Sequence, residues 1–332
     1  MTRKFITPTF RFRLASAVHA ATLISALGFV TAATAPVQAA APMVKTQAPG
    51  YSRMMLGDFE VTALNDGGFD LPVDKLLMQP PEKTDTALKQ YFQKLPVETS
   101  VNAFLVNTGT KLVLIDAGTG GLSGPTTGTL LANLRAAGYK PGQIDDIFIT
   151  HLHSDHVGGL SHDGTAVFPN ARVHVSKIDA DYWLSAERMK AAPAAMQSNF
   201  EIALKSLAPY IAAKHLQPIE VDTEIVPGLK SWATPGHTPG HTSYVVESKG
   251  QRLILIGDLI HVAAVQFDDP KVTVQFDSEA SGAATSRAKV FAQAAKDRTL
   301  IAGAHLQFPG MGHLNVNGSG WQFVPINYTR MR

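Results

Sequence analysis

The sequence has no cysteine among its 332 residues. Disulfide bonds are therefore excluded as a source of stability, although an exported protein could use them. A thiolate is likewise excluded, both as a metal ligand and as a catalytic nucleophile. Any metal site in this chain must be built from histidine and carboxylate side chains.

Strong charge of either sign is also absent. Lys and Arg number 29, Asp and Glu number 27, and the formal net charge is +2. No basic field points to nucleic acid as a partner. A hydrophobic content of 45% is ordinary for a globular protein with a sizeable core. Since we find no internal repeat and no linker-like region, we predict one domain over residues 40–332.

The beginning of the chain differs from the rest. Basic residues precede an apolar run from Leu14 to about Ala35, and the small residues "APVQAAAP" follow. This order predicts a signal peptide over residues 1–39, with cleavage after Ala39 or Ala41. The alternative is a membrane anchor, because the run is nearly long enough to span a bilayer. We expect a periplasmic or secreted protein with no membrane contact after cleavage.

Two local patterns predict secondary structure that bears on the site. "GDFEVTALNDGGFDLP" alternates apolar and polar residues and predicts a strand that ends in a turn at Gly67-Gly68. "KIDADYWLSAERMKAA" predicts a helix over residues 177–192.

Histidine or aspartate, two residue types that can bind metal, follows each of five predicted strands. The strands "KLVLI", "DIFIT", "KSWAT", "RLILIG" and "RTLIAGA" lead to Asp116, His151, His237, Asp258 and His305. Sheet proteins assemble their sites on loops at the carboxyl ends of strands, so we expect these side chains to meet.

The segment "HLHSDH" adds His153, Asp155 and His156 to this edge. A core could not tolerate so many unpaired ionisable groups, which argues against a purely structural role. The isolated His174, in contrast, is predicted to be a packed or surface residue. Without Asp116, the set contains five imidazoles and two carboxylates, which suit zinc or a similar divalent ion.

These seven candidate ligands, without Asp116, exceed one tetrahedral zinc but fit two metals that share a carboxylate. A water between two cations becomes hydroxide near neutral pH, so the sequence predicts a hydrolase with two Zn²⁺, other divalent metals being open. Asp155 and Asp258 are the predicted catalytic carboxylates. Asp116 either caps a turn or orients a ligand by hydrogen bonding, and His241 in "GHTPGHT" is open in the same way.

"THLHSDHVGG", with "GHTPGH" and a late "AGAH", resembles the metallo-β-lactamase superfamily, whose signature is H-x-H-x-D-H. Stretches such as "ETSVNAFLVNTG", "GDLIHVAAVQFDDP" and "FVPINY" are similar to the methyl parathion hydrolase-like family of organophosphate, lactone and ester hydrolases. The resemblance implies an α+β fold, an αββα sandwich of two mixed β-sheets flanked by helices. It also implies a dinuclear zinc site at one edge of the sheets, with His151, His153 and His237 on one metal, Asp155, His156 and His305 on the other, and Asp258 bridging.

The resemblance implies a hydrophobic pocket as well. Its predicted walls are Phe69, Leu71, Trp183 and Phe200, and a purely structural role in the core stays open for each; His261 and Phe276 are expected to face the same space. No cluster of Lys or Arg marks a site for an anionic substrate, so we expect a neutral, hydrophobic small molecule.

We therefore predict hydrolysis of neutral organophosphate triesters and of lactones or aryl esters. A planar lactone should fit a pocket crowded by His261 and Phe276 better than a tetrahedral phosphotriester. A β-lactamase of the commonest type would need a cysteine ligand, which this chain lacks. The alternatives are an acyl-homoserine lactonase, a thioesterase, a non-hydrolytic metal protein and a di-iron redox protein, and a homodimer is left open.

Overall fold

The computed structural model describes residues 41–328 and 331. The predicted signal peptide, residues 1–39, lies outside the described residues. The folded unit that contains the sheets begins at Gln47. Among the residues described, no helix has the length and apolar character needed to cross a membrane.

Two seven-stranded mixed sheets form the centre of this unit. The first contains β1 (Tyr51–Leu56), β2 (Phe59–Leu71), β3 (Val97–Asn107), β4 (Leu112–Ile115), β5 (Asp146–Phe148), β8 (Arg172–Ser176) and β9 (Leu216–Ile219), in that order. The second contains β10 (Glu224–Val226), β11 (Leu229–Ala233), β12 (Thr242–Ser248), β13 (Gln251–Leu255), β14 (Leu300–Ala302), β15 (Met311–Asn317) and β16 (Gly320–Pro325). A small hairpin pairs β6 (Ser161–His162) with β7 (Thr165–Ala166).

The helices lie between the strands along the chain. They are α1 (Val73–Leu76), α2 (Pro81–Gln90), α3 (Leu130–Ala136), α4 (Ser154–Val157), α5 (Lys177–Trp183), α6 (Ala186–Ala191), α7 (Ala194–Ala212), α8 (Ala263–Gln266) and α9 (Ala280–Asp297). Short 3₁₀ turns cover Pro141–Gln143 and Gly158–Leu160.

Buried apolar side chains stack these elements in layers. Phe148 of the first sheet and Tyr244 of the second share one buried cluster, which joins the two sheets. A second cluster packs Val173 against Phe200 of α7 on the outer face of the first sheet. A third packs Ile301 against Phe291 of α9 on the outer face of the second sheet. The predicted sandwich of two mixed sheets between helices is confirmed.

Two local predictions were wrong. The Gly67-Gly68 pair does not end its strand, because β2 runs on to Leu71 and absorbs the pair through a shift of register between Asn65 and Gly67. The predicted helix over residues 177–192 is two helices, since the Ser185 hydroxyl accepts a hydrogen bond from the Arg188 N–H and starts α6 as a new helix.

Parallel pairing explains why the predicted ligands meet. β4 pairs parallel with β5, so Asp116 and His151 leave the first sheet at the same edge. β13 pairs parallel with β14, which delivers Asp258 and His305 to the corresponding edge of the second sheet. The predicted convergence of strand ends therefore follows from sheet topology.

Candidate metal centre

Three imidazoles form the first donor group. His153 lies between the other two, with its Nδ1 3.0 Å from His151 Nε2 and 3.0 Å from His237 Nε2. His151 and His153 lie on the loop that follows β5, whereas His237 lies on the loop that follows β11. Three ring nitrogens aimed at one point can hold one divalent ion.

The second donor group combines imidazoles with carboxylates. It consists of Asp155, His156, Asp258 and His305, whose donor atoms lie within 4.8 Å of one another. His305 Nε2 is 3.3 Å from Asp155 Oδ2, and His156 Nε2 is 3.2 Å from Asp258 Oδ1.

Asp258 lies between the two groups. Its Oδ2 is 3.7 Å from His151 Nε2 and 3.4 Å from His237 Nε2, while its Oδ1 faces His156. One carboxylate thus offers an oxygen to each group. All seven predicted ligands are brought together at one edge of the sandwich.

Neighbouring oxygens fix the rings from behind. Asp116 Oδ2 is 2.9 Å from His156 Nδ1, and the same carboxylate accepts hydrogen bonds from the N–H and hydroxyl of Thr150. The structure therefore places Asp116 beside a ligand ring rather than in a turn cap. His241 accepts a hydrogen bond from the Asp258 N–H through Nε2, at 3.1 Å.

Two further contacts of this kind were missed from the sequence. Asp277 Oδ1 is 2.9 Å from His237 Nδ1, and the Ser100 carbonyl oxygen is 3.0 Å from His305 Nδ1. Asp277 follows no predicted strand, and a carbonyl carries no signal in the residue type. Only the tertiary structure reveals either of them.

The electrostatics of the two groups differ. Burial lowers the pKa of His153 to about 4 and that of His151 well below its ordinary value, so both rings are neutral and free to donate lone pairs. Burial also acts to lower the pKa of His305, but the carboxylates of Asp258 and Asp155 outweigh it and raise that pKa to about 10. The carboxylates of the second group therefore favour a protonated His305 when no metal is bound. A divalent cation would displace that proton and take up the same negative charge.

The residues fit a pair of divalent ions. His156 Nε2 and Asp258 Oδ1 are buried and, although 3.2 Å apart, form no hydrogen bond with each other or with any other described residue. Four buried or nearly buried carboxylates surround the cluster, those of Asp155, Asp258, Asp116 and Asp277. Their four negative charges would balance the positive charge of two divalent cations. Imidazole and carboxylate together suit zinc.

A cavity of about 730 Å³ opens above the cluster. Phe69, Leu71, Trp183, His261 and Phe276 line it. The structure does not bring Phe200 to this wall. Phe200 is fully buried behind Trp183, with ring centroids 4.7 Å apart, because its apolar neighbours in α7 hold it in the core.

Polar but uncharged side chains complete the lining. They include Ser123, Asn199, Gln275 and Ser278, none of which stands out by any pattern in the sequence. His261 lies beside the second donor group, with its Nε2 3.2 Å from Asp258 Oδ2 and its ring stacked on that of His305 at a centroid distance of 5.3 Å. Among the described residues, the cavity is lined by no lysine or arginine.

The family model of the metallo-β-lactamase superfamily matches residues 96–305, most of the chain and both donor groups. The chain belongs to this superfamily. The matched residues include the histidines and aspartates of the two donor groups, which could hold metal ions.

Solved structures of the superfamily agree with the fold in detail. The hydrolase AbOPH is 40% identical, with a TM-score of 0.82 over 86% of this chain and 100% of that chain. AidC, a dizinc quorum-quenching lactonase in complex with a product, N-hexanoyl-L-homoserine, is 28% identical, with a TM-score of 0.78 over 85% of this chain and 99% of that chain.

Curated relatives match over a shorter stretch. The N-acyl homoserine lactonase of Bacillus cereus is 30% identical over 156 residues, which is 47% of this chain and 54% of the relative. The chain thus spans about half the length of the curated relatives it matches.

Proposed function

We propose that this protein is a dinuclear zinc hydrolase of the methyl parathion hydrolase-like type, which cleaves neutral lactones and aryl esters as well as organophosphate triesters. The observation that carries the proposal is the position of Asp258, shared by two donor groups on the floor of a cavity that, among the described residues, is lined by no lysine or arginine. The dizinc centre of AidC, at 28% identity, supports zinc as the metal.

In this proposal His151, His153 and His237 would hold one ion, and Asp155, His156 and His305 would hold the other. Asp258 would offer an oxygen to each. When bound, the two ions supply an activated water as nucleophile and polarise the oxygen that gains charge. Asp155 and Asp258 are the catalytic carboxylates, because they hold the ions at the place where the substrate is attacked.

The chain's own contribution is positioning. Asp116 and Asp277 each take the Nδ1 side of a ligand imidazole, which fixes the tautomer with Nε2 facing inward. A proton on His261 Nε2, which lies 3.2 Å from Asp258 Oδ2, would place a hydrogen-bond donor beside both the bridging carboxylate and the cavity. It can orient a carbonyl or phosphoryl oxygen that enters from above.

The wall favours a neutral, flat substrate. Phe69, Leu71 and Trp183 present apolar surface, and no lysine or arginine among the described lining residues is placed to bind a phosphate monoester. His261 and Phe276, with ring centroids 6.0 Å apart, narrow the space above the metals. A planar lactone therefore suits the site better than a tetrahedral phosphotriester.

Acyl-homoserine lactones are the second candidate substrates. The product held by AidC is an acylated homoserine, and a cavity of about 730 Å³ has room for a short acyl chain. Thioesters have no such observation in their favour.

Export through cleavage of residues 1–39 and a homodimeric state are also proposed. N-terminal sequencing of protein isolated from the native host tests the first, and light scattering tests the second.

The deciding experiment compares four substrates on zinc-loaded protein: dihydrocoumarin, an aryl acetate, methyl parathion and N-hexanoyl-L-homoserine lactone. We expect the highest kcat/KM for dihydrocoumarin or the aryl ester and a lower but measurable value for methyl parathion. If only the homoserine lactone is hydrolysed, the second candidate replaces the first. If none is hydrolysed, the proposal is wrong.

A further inference from the structure

Asp179 is a buried carboxylate outside the proposed ligand set. It lies in the first turn of α5 and has no exposed surface. Its Oδ2 accepts hydrogen bonds from the Leu152 N–H at 3.3 Å and from the Thr238 hydroxyl at 2.8 Å. Its Oδ1 accepts one from the Gly240 N–H at 2.6 Å.

These three donors belong to the two loops that form the first donor group. Leu152 lies between His151 and His153, and Thr238 directly follows His237. The first loop leaves the first sheet and the second loop leaves the second sheet. One carboxylate therefore ties together two segments that are far apart in sequence and whose imidazoles must converge on one point.

The contact between the second loop and α5 is tight. A Cβ at Gly240 would lie 2.5 Å from the backbone nitrogen of Asp179 and 2.7 Å from the Ser176 hydroxyl oxygen. Only glycine lets the loop approach the helix this closely. The loop is thus held directly against α5 at Gly240.

Burial of the Asp179 carboxylate costs folding free energy, which argues against a purely structural role. No Lys, Arg or His side chain among the described residues pairs with it, and burial raises its pKa to about 6 although the three hydrogen bonds act to lower it. An unpaired buried carboxylate stabilises a fold less than an apolar residue of similar size. Its retention is explained if the three hydrogen bonds serve the geometry of the site.

Asp146 shows what a buried carboxylate looks like when it is paired. It begins β5, at the end of the strand opposite His151, and contacts His174 Nε2 at 2.8 Å and Lys111 Nζ at 3.2 Å. Burial acts to raise its pKa, but these partners outweigh burial and lower it. Asp146 touches neither metal loop in the hydrogen bonds that the structure describes, so it serves as the matched control.

We propose that Asp179 is a positioning residue, which locks the His151–His153 loop to the His237 loop and so determines how tightly the first donor group retains its metal. This inference rests on the proposed dinuclear site.

The test measures zinc release from the zinc-loaded full-length chain to a chromophoric chelator in wild type, Asp179→Asn, Thr238→Val and Asp146→Asn. The asparagine keeps the size of the side chain but turns one accepting oxygen into a donor, so at least one tie is lost. We expect one of the two zinc ions to dissociate roughly 10- to 100-fold faster in Asp179→Asn, and the other within about threefold of wild type. Asp146→Asn should release both ions as wild type does.

Thr238→Val removes only the hydrogen bond from the Thr238 hydroxyl and leaves Asp179 in place. It therefore tests the inference even if Asp179→Asn does not fold. We expect a smaller acceleration of the same ion. Cobalt-loaded samples add a spectroscopic measurement, because the visible absorption of Co²⁺ in the first donor group should change in Asp179→Asn and Thr238→Val but not in Asp146→Asn. Equal zinc release and equal cobalt spectra in all four proteins would overturn the inference. A wild-type protein that binds fewer than two zinc ions would instead overturn the proposed function on which it rests.

Discussion

The floor of the cavity, formed by the seven candidate ligands, and its wall, formed by Phe69, Leu71, Trp183, His261 and Phe276, are built in different ways. On the floor, His151, His156 and Asp258 are almost fully buried, and the rings of His151, His156, His237 and His305 each have an oxygen against Nδ1. On the wall, Phe276 is 42% exposed, and the side chains contact one another through apolar surface. Trp183 and Phe69 contact the rings of His153 and His305, whereas Phe276 contacts the ring of His261, which is not one of the seven candidate ligands. In the proposed function, the floor therefore determines the reaction type and the wall selects the substrate.

The largest expected effect comes from breaking the floor at its centre. Asp258→Asn leaves one oxygen where two are needed and removes the negative charge between the ions. We expect fewer than two zinc ions per chain and a loss of about a thousandfold in kcat/KM for dihydrocoumarin, equivalent to several kcal/mol. Metal analysis and steady-state kinetics measure both. Retention of two zinc ions and of activity would remove the bridging role.

A smaller effect is expected one contact further from the metals. Asp277→Asn weakens the support of His237, and Asp116→Asn weakens that of His156. Each should lower the affinity of one zinc by roughly 10- to 100-fold while the other changes little. Competition with a chelator of known affinity separates the two ions. If both variants weaken the same ion, the division into two donor groups is wrong.

Changing the wall should move specificity and leave the metals in place. Phe276→Leu widens the space beside His261. We expect the ratio of kcat/KM for methyl parathion to that for dihydrocoumarin to rise about tenfold, because the bulkier substrate gains more from the added room. Zinc content should equal that of wild type. An unchanged ratio would show that Phe276 does not limit the pocket.

A phenylalanine-to-leucine substitution at Phe200, which lies behind the wall, should have the smallest effect on specificity. Phe200→Leu alters the packing against Trp183 without changing the lining. The kcat/KM ratio should stay within about twofold of wild type, and the free energy of unfolding should fall by about 1 kcal/mol. Chemical denaturation and the same kinetic assay test this, and a shift in specificity as large as that of Phe276→Leu would contradict the placement of Phe200.

The contrast also explains what could be predicted from the sequence. The floor residues follow strands, so their convergence could be inferred from strand order and from the H-x-H-x-D-H spacing. Their supports could be inferred only in part, because Asp116 ends a strand whereas Asp277 lies in a turn with no distinguishing pattern. Asp179 was hidden for the same reason, since a single carboxylate in a helix is usually exposed.

The wall was harder to predict because its residues come from unrelated segments. Phe200 and Trp183 look equivalent in the sequence and are buried in the same core cluster, yet only Trp183 also lines the cavity. That choice depends on the rotation of α7 against α5, which local patterns do not determine. The bulge that carries β2 past Gly67 is a further case, since pairing with β3 overrides the tendency of a Gly-Gly pair to turn.

Titration of metal-free protein with zinc, with dihydrocoumarin hydrolysis recorded at each step, tests the dinuclear centre most directly. The structure predicts that hydrolysis is absent without metal and reaches its plateau only when two zinc ions are bound per chain. A plateau at one zinc ion per chain, or full hydrolysis by the metal-free protein, would contradict the account.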